Sequence, residues 1–199
     1  MKAIKMIGLA ALAALAAMAI VGATSASATR LCNADEASCT NPTTSVHATS
    51  VGKAKLLTSL GTTECNVLFS STEVGAEATV QILEGNFTYT NCTLGGSSCT
   101  ATEENGPAEI KVEKTGYETA KVTGEGLVRL VCSGFIDCSF NGIGLESIGK
   151  GSLFSTEANG EASEGSGGLV SKEAGGFLCP KTANLNIKMT PLSATYISG

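Results

Sequence analysis

Eight cysteines, one histidine and a handful of acidic clusters are the residues of this chain whose types could support chemistry. Cysteines can hold zinc, cycle between redox states or staple a fold, and their spacing separates these uses. Zinc sites pair cysteines about two to four residues apart and redox centres use C-x-x-C. Neither spacing occurs among Cys32, Cys39, Cys65, Cys92, Cys99, Cys132, Cys138 and Cys179. An even number of widely spaced cysteines reads instead as a disulfide framework formed in an oxidising compartment.

Eight cysteines allow on the order of a hundred pairings, and sequence alone does not choose strictly among them. Six residues separate Cys32 from Cys39 and Cys92 from Cys99, and five separate Cys132 from Cys138, so each pair could close a short loop. That leaves Cys65 and Cys179. Cys65 alternates with Val67 and Phe69, and Cys179 is in step with Phe177, which would aim both thiols inward for a bond across a core. The spacing therefore suggests Cys32–Cys39, Cys92–Cys99, Cys132–Cys138 and Cys65–Cys179.

The remaining chemistry is thin. A serine hydrolase elbow needs Gly-x-Ser-x-Gly; Ser163 comes closest, with Gly165 after it, but Glu161 stands where the first glycine belongs. His47 lies in a Thr/Ser-rich stretch with no visible activating partner. Gly124-x-Gly126, Gly142-x-Gly144 and Gly149-x-Gly151 each lack the third glycine of a dinucleotide loop. Glu103-Glu104, Glu146 and the set Glu157, Glu161 and Glu164 could supply a glycosidase-type carboxylate pair, for which separation in space decides. Asp35 and Asp137 are too far apart in sequence for a calcium loop. With no Trp and only Tyr89, Tyr117 and Tyr196 beside six Phe, aromatic platforms for sugars are scarce. No catalytic, cofactor-binding or metal-binding residue is assigned, and no cofactor is expected.

The elements that would carry these residues are strands. Ala183, Leu185, Ile187 and Met189 alternate with polar neighbours, as do Ala108, Ile110 and Val112, and Ala78, Val80 and Ile82. Weaker alternation marks 46–51, 65–70, 87–90, 120–123, 127–132, 143–148 and 194–197. Turn residues separate the runs at Gly85-Asn86, Asn105-Gly106-Pro107, Thr115-Gly116, Gly124-Glu125-Gly126 and Asn141-Gly142. Residues 158–176, rich in Gly, Ser and Glu, read as a surface loop, and the loops 93–107 and 158–176 as the best binding edge. Short strands spaced in this way, without a helical period, indicate an all-β fold: a single disulfide-stabilised β-sandwich, with a partly open β-barrel as the alternative.

Before the strands comes an address. Lys2 and Lys5 precede an apolar run from Met6 to Ala23, and Ala26-Ser27-Ala28 has the small-residue form of a cleavage site. Residues 1–28 are thus expected to be a helical signal peptide and 29–199 a secreted, extracellular β domain. The chain carries a formal charge of -5; without Lys2 and Lys5 it has 11 basic and 18 acidic residues, or -7. No basic surplus exists to neutralise phosphates, so no nucleic-acid partner is expected. Nor is membrane association expected after cleavage.

Leu31-Cys32…Cys39, Gly61-Thr62-Thr63-Glu64-Cys65, Cys92-Thr93-Leu94-Gly95-Gly96…Cys99-Thr100, Val131-Cys132…Cys138 and Cys179-Pro180-Lys181-Thr182-Ala183 follow one another across nearly the whole of 29–199. In this the chain resembles uncharacterised exported, cysteine-paired proteins of actinobacterial genomes. The resemblance implies cysteine pairing and no activity. The expected function is a non-enzymatic binding, surface or structural role toward an unknown extracellular ligand or surface. The alternative is a secreted carboxylate-dependent hydrolase.

Overall fold

The computed structural model describes residues 29–34, 39–74, 79–116, 119–132, 136–150, 155–158, 169–193 and 195–198; the expected signal peptide at 1–28 lies outside them. Twelve strands and no helix form among these residues: β1 (Arg30–Cys32), β2 (His47–Ser50), β3 (Ala54–Thr58), β4 (Gly61–Val74), β5 (Val80–Leu94), β6 (Ser97–Gly116), β7 (Thr119–Cys132), β8 (Ile136–Lys150), β9 (Ser155–Ala158), β10 (Leu169–Gly175), β11 (Thr182–Pro191) and β12 (Tyr196–Ser198).

Strands β4 to β8 are long and pair in chain order as an antiparallel meander. β2 and β3 lie end to end, each bridging β4 to β11. On the far side β9 and β10 do the same between β8 and β11. The ladder thus returns on itself, but both seams consist of short segments. The result is a bent sheet with interrupted seams, not a closed barrel. β1 and β12 pair apart from it as a two-stranded ribbon.

Most of the expected strand runs fall inside these elements; Ala78 and Ala194 lie outside the described residues. The punctuation between them differs. Of the five expected turns, only Thr115-Gly116 reverses the chain, between β6 and β7. The others lie within single strands, where glycine permits bulges and close approach instead of reversal. At Gly85 a Cβ would stand 2.8 Å from the Phe69 ring, so the missing side chain is what lets that ring pack over β5. Asn105 and Gly106, with φ of 69° and 92°, mark a bulge at which β6 changes its inward phase: Cys99 before it is buried, and Ala108 and Val112 after it are buried. Asn91, with φ of 52°, shifts β5 likewise, so that Gly85 and Cys92, an odd and an even position, both face in.

The expected loop at 93–107 is therefore strand on both sides of a two-residue turn, Gly95-Gly96, whose φ values of 57° and 87° suit a hairpin of the right twist. Part of the expected loop at 158–176 is also strand, namely β10; residues 159–168 lie outside the described set.

All eight cysteines are paired, but three of the four expected bonds are corrected. Cys32–Cys39 forms as expected, whereas the others are Cys65–Cys92, Cys99–Cys132 and Cys138–Cys179. Backbone direction explains the choice. The Gly95-Gly96 turn closes on the pair Leu94 and Ser97, so Cys92 and Cys99, two steps further, face each other as a hydrogen-bonded pair. Each then presents its non-hydrogen-bonded side to the strand beyond, where Cα atoms come closest. Both Cys65–Cys92 and Cys99–Cys132 span 4.2 Å between Cα atoms. Cys179 meets Cys138 because residues 176–181 turn instead of continuing a strand. Alternation with Phe177 consequently fails, and Phe177 is 95% exposed while Cys179 is buried.

Candidate functional site

Inward phase on the long strands decides which side chains meet inside the sheet. Leu56 of β3, Val67 of β4, Leu130 of β7, Phe140 of β8 and Ile187 and Met189 of β11 converge on a partly enclosed cavity of about 190 Å³. The wall between β6 and β8 is thin there, because Ala101, Gly124, Gly126 and Gly142 bring little side-chain volume. A second apolar cavity of about 80 Å³ lies among Phe69, Leu83, Ile110, Val112 and Val122. Phe87 and Met189 line both and form the partition. Phe87 is held there by rings on either side, with centroids 4.9 Å away at Phe69 and 6.2 Å at Tyr89.

Two ionisable groups enter the larger cavity from its wall. Glu103 follows Cys99 and Ala101 in phase on β6 and so points inward, where an apolar residue would be expected. Pairing between β5 and β6 is suspended from Asn86 to Asn91, so this stretch of β5 is paired with β4 alone. Within it the Phe87 amide donates to Oε2 of the Glu103 carboxylate at 2.9 Å. Its other oxygen, Oε1, is buried and makes no hydrogen bond of good geometry among the described residues, although the Ala108 amide is near enough to act on the carboxylate. Burial raises the Glu103 pKa above the usual carboxylate range, and the amides of Phe87 and Ala108 pull it partly back. Burial, with the nearby Glu103 charge, also pushes the Tyr89 hydroxyl well above its ordinary range. Glu125 contributes to the rim and is exposed. No Lys, Arg or His stands among the described lining residues.

The other sequence candidates lie elsewhere. Glu104, adjacent to Glu103, faces the opposite side of β6, where its Oε2 accepts from the Ser139 hydroxyl at 2.8 Å. Neighbours on one strand cannot form a facing carboxylate pair. Asp137 is exposed and bound in a fork by Arg129 at 2.7 and 2.6 Å, which holds its pKa below the usual range. His47 is exposed on β2. Glu146 and Glu157 lie on β8 and β9. Asp35, Tyr117, Glu161, Ser163 and Glu164 fall outside the described residues.

Sequence reasoning weighed Glu103 only as half of a carboxylate pair and Tyr89 only as a scarce sugar platform. The signal that could have found the site was the phase Cys99, Ala101, Glu103: two inward residues followed by an acid.

The arrangement can enclose a small apolar body and offer one carboxylate oxygen to it. An apolar cavity of about 150 Å³ suffices for benzene, so this one admits a body somewhat larger. No family model, curated protein or solved structure matches the chain.

Proposed function

We propose that residues 29–199 are one exported, non-enzymatic binding domain, released by removal of 1–28, whose opposed walls pack as in a sandwich around a cavity that takes a small apolar ligand. The observation that carries this reading is the cavity of about 190 Å³ lined by aliphatic and aromatic side chains, into which half-buried Glu103 brings one buried carboxylate oxygen. Binding sites are concave, mostly apolar and carry few polar groups. Four disulfides suit a protein working in an oxidising, extracellular setting.

A hydrolase reading has one observation in its favour: Glu103 and Glu125 both contribute to the cavity surface. The lining argues the other way. A sugar carries a hydroxyl on most of its carbons, and burying hydroxyls without partners costs about 1–3 kcal/mol each. The wall here offers them little beyond Thr63, Tyr89 and the two carboxylates.

Calorimetric titration of the mature protein with ethylbenzene and similar monocyclic probes tests the proposal. Saturable one-site binding is expected, together with no turnover on panels of glycosides, esters and peptides. Turnover, or absence of binding by every apolar probe, would overturn it.

A further inference from the structure

Resting on the binding reading above, we infer that the ligand class is a small apolar amine, held as its ammonium ion by Glu103 with its hydrocarbon body in the cavity. Four observations converge on it. Glu103 Oε1 is buried and, among the described residues, makes no hydrogen bond of good geometry, the Ala108 amide acting on it only from a distance, and a buried acceptor so poorly met is costly. Burial disfavours the ionised carboxylate, the Phe87 amide bonded to Oε2 offsets part of that, and a cation at Oε1 would offset more of it. Among the described residues no cation lines the cavity, so a cationic ligand would meet no like charge there and would supply the counter-charge. Finally, the rings of Phe87 and Tyr89 stand on the same wall, and aromatic faces attract ammonium groups.

The alternatives fit less well. A hydrocarbon would fill the cavity but leave Oε1 unanswered. A carboxylic acid would place a second acceptor beside the first, unless one of the two stayed protonated. A neutral alcohol could donate to Oε1 but would bring no charge to set against the carboxylate, and burying a charge is costly unless it is paired. The chain's formal charge of -5 also draws cations toward it from solution. Size sets the remaining limit. At interior packing density, about 190 Å³ takes a molecule of about nine non-hydrogen atoms, which is one ring and a short chain.

The test is a matched set titrated by calorimetry into the mature, oxidised protein at neutral pH: 2-phenylethylamine, 2-phenylethanol, benzoic acid and ethylbenzene. The amine is expected to bind at least tenfold more tightly than ethylbenzene. In Glu103→Gln the ratio of amine to ethylbenzene affinity should fall to about one, with a near-ultraviolet circular dichroism spectrum like the parent's showing that the variant is folded. Equal affinity for amine and hydrocarbon would overturn the ligand class and leave the binding function standing. So would preference for the alcohol or the acid, or an amine advantage that survives in Glu103→Gln. Failure of all four probes to bind would remove both.

Discussion

Replacing Cys92 and Cys99 together, C92A/C99A, separates the observed disulfide pattern from the one that spacing suggests. If those two cysteines were bonded to each other, the double substitution would remove one short clip. The sequence separation would be the same as for Cys32–Cys39, which is 7. In the chain-entropy account such a clip is worth about 2.4 kcal/mol. In the structure the substitution breaks two bonds instead, closing separations of 27 and 33. Each is worth about 3.5 kcal/mol on the same scale, so the combined loss is about 7 kcal/mol. That is comparable with the whole stability of an ordinary domain, about 5–15 kcal/mol. The stranded partners Cys65 and Cys132 lie on β4 and β7, three strand spacings or ~14 Å apart, beyond the ~7 Å between Cα atoms that a disulfide can bridge. Thiol titration in denaturant should therefore find two free thiols, and guanidinium unfolding should show a protein near its stability limit. The control C65A/C92A loses one bond, strands no thiol and should cost about 3.5 kcal/mol. A C92A/C99A protein without free thiols that loses only about 2 kcal/mol would refute the register argument.

Three further substitutions probe the interior. Gly85→Ala places a Cβ 2.8 Å from the Phe69 ring and 2.5 Å from the Ser70 carbonyl oxygen. The cost by thermal unfolding should be about 1–3 kcal/mol, the range for overpacking; an unchanged midpoint would show that β4 and β5 are not so close. Phe87→Ala removes the partition between the cavities of about 190 and 80 Å³. It should cost about 3–5 kcal/mol in stability while admitting a two-ring probe that the parent excludes. Glu103→Gln should change the pH dependence of unfolding. The folded pKa of Glu103 is raised, so its favourable contribution is complete below the unfolded value and is lost as pH rises through the folded one. Parent stability should fall relative to Glu103→Gln between mildly acidic and neutral pH. Asp137, whose pKa is lowered, acts in the opposite sense but equally in both proteins, so the difference curve isolates Glu103. A flat difference would show that Glu103 is well solvated.

Strand content was legible because alternation is a local property: residues 183–189 and 108–112 alternate cleanly and lie in β11 and β6. Strand length was not. Gly85, Asn105-Gly106, Gly124 and Gly142 have the composition of turns, yet they sit in strands of 14 to 20 residues. Whether a glycine reverses a strand or bends it depends on what packs against it, and Phe69 over Gly85 is a contact between different strands. The disulfides failed for the same reason. Proximity in sequence put Cys92 beside Cys99 correctly, since they are register partners. The bond follows which side of each residue carries the backbone hydrogen bonds, and that depends on the turn type two residues away. For Glu103 the phase was readable, but its meaning required knowing that seven strands would face one another around it.

Why a cavity exists at all follows from the same composition. The bent sheet curls through eight strand positions, and the side chains of its facing walls have to fill the space between them. At the level of Phe69, Leu83, Val112 and Val122 they nearly do. At the level of Ala54, Ala101, Gly124, Gly126 and Gly142 they fall short, and with nine Phe and Tyr in the chain and no Trp, little bulk is at hand to compensate. Ala101→Leu supplies that bulk directly. If the space is as large as it measures, the added side chain is buried without displacing neighbours and should raise stability by about 1–2 kcal/mol, the value of the added apolar burial. The same change should weaken ethylbenzene binding at least tenfold, because the probe and the leucine compete for one volume. A loss of stability would mean that the wall closes on Ala101 and the cavity is smaller than described. Gained stability with undiminished binding would place the ligand elsewhere on the molecule.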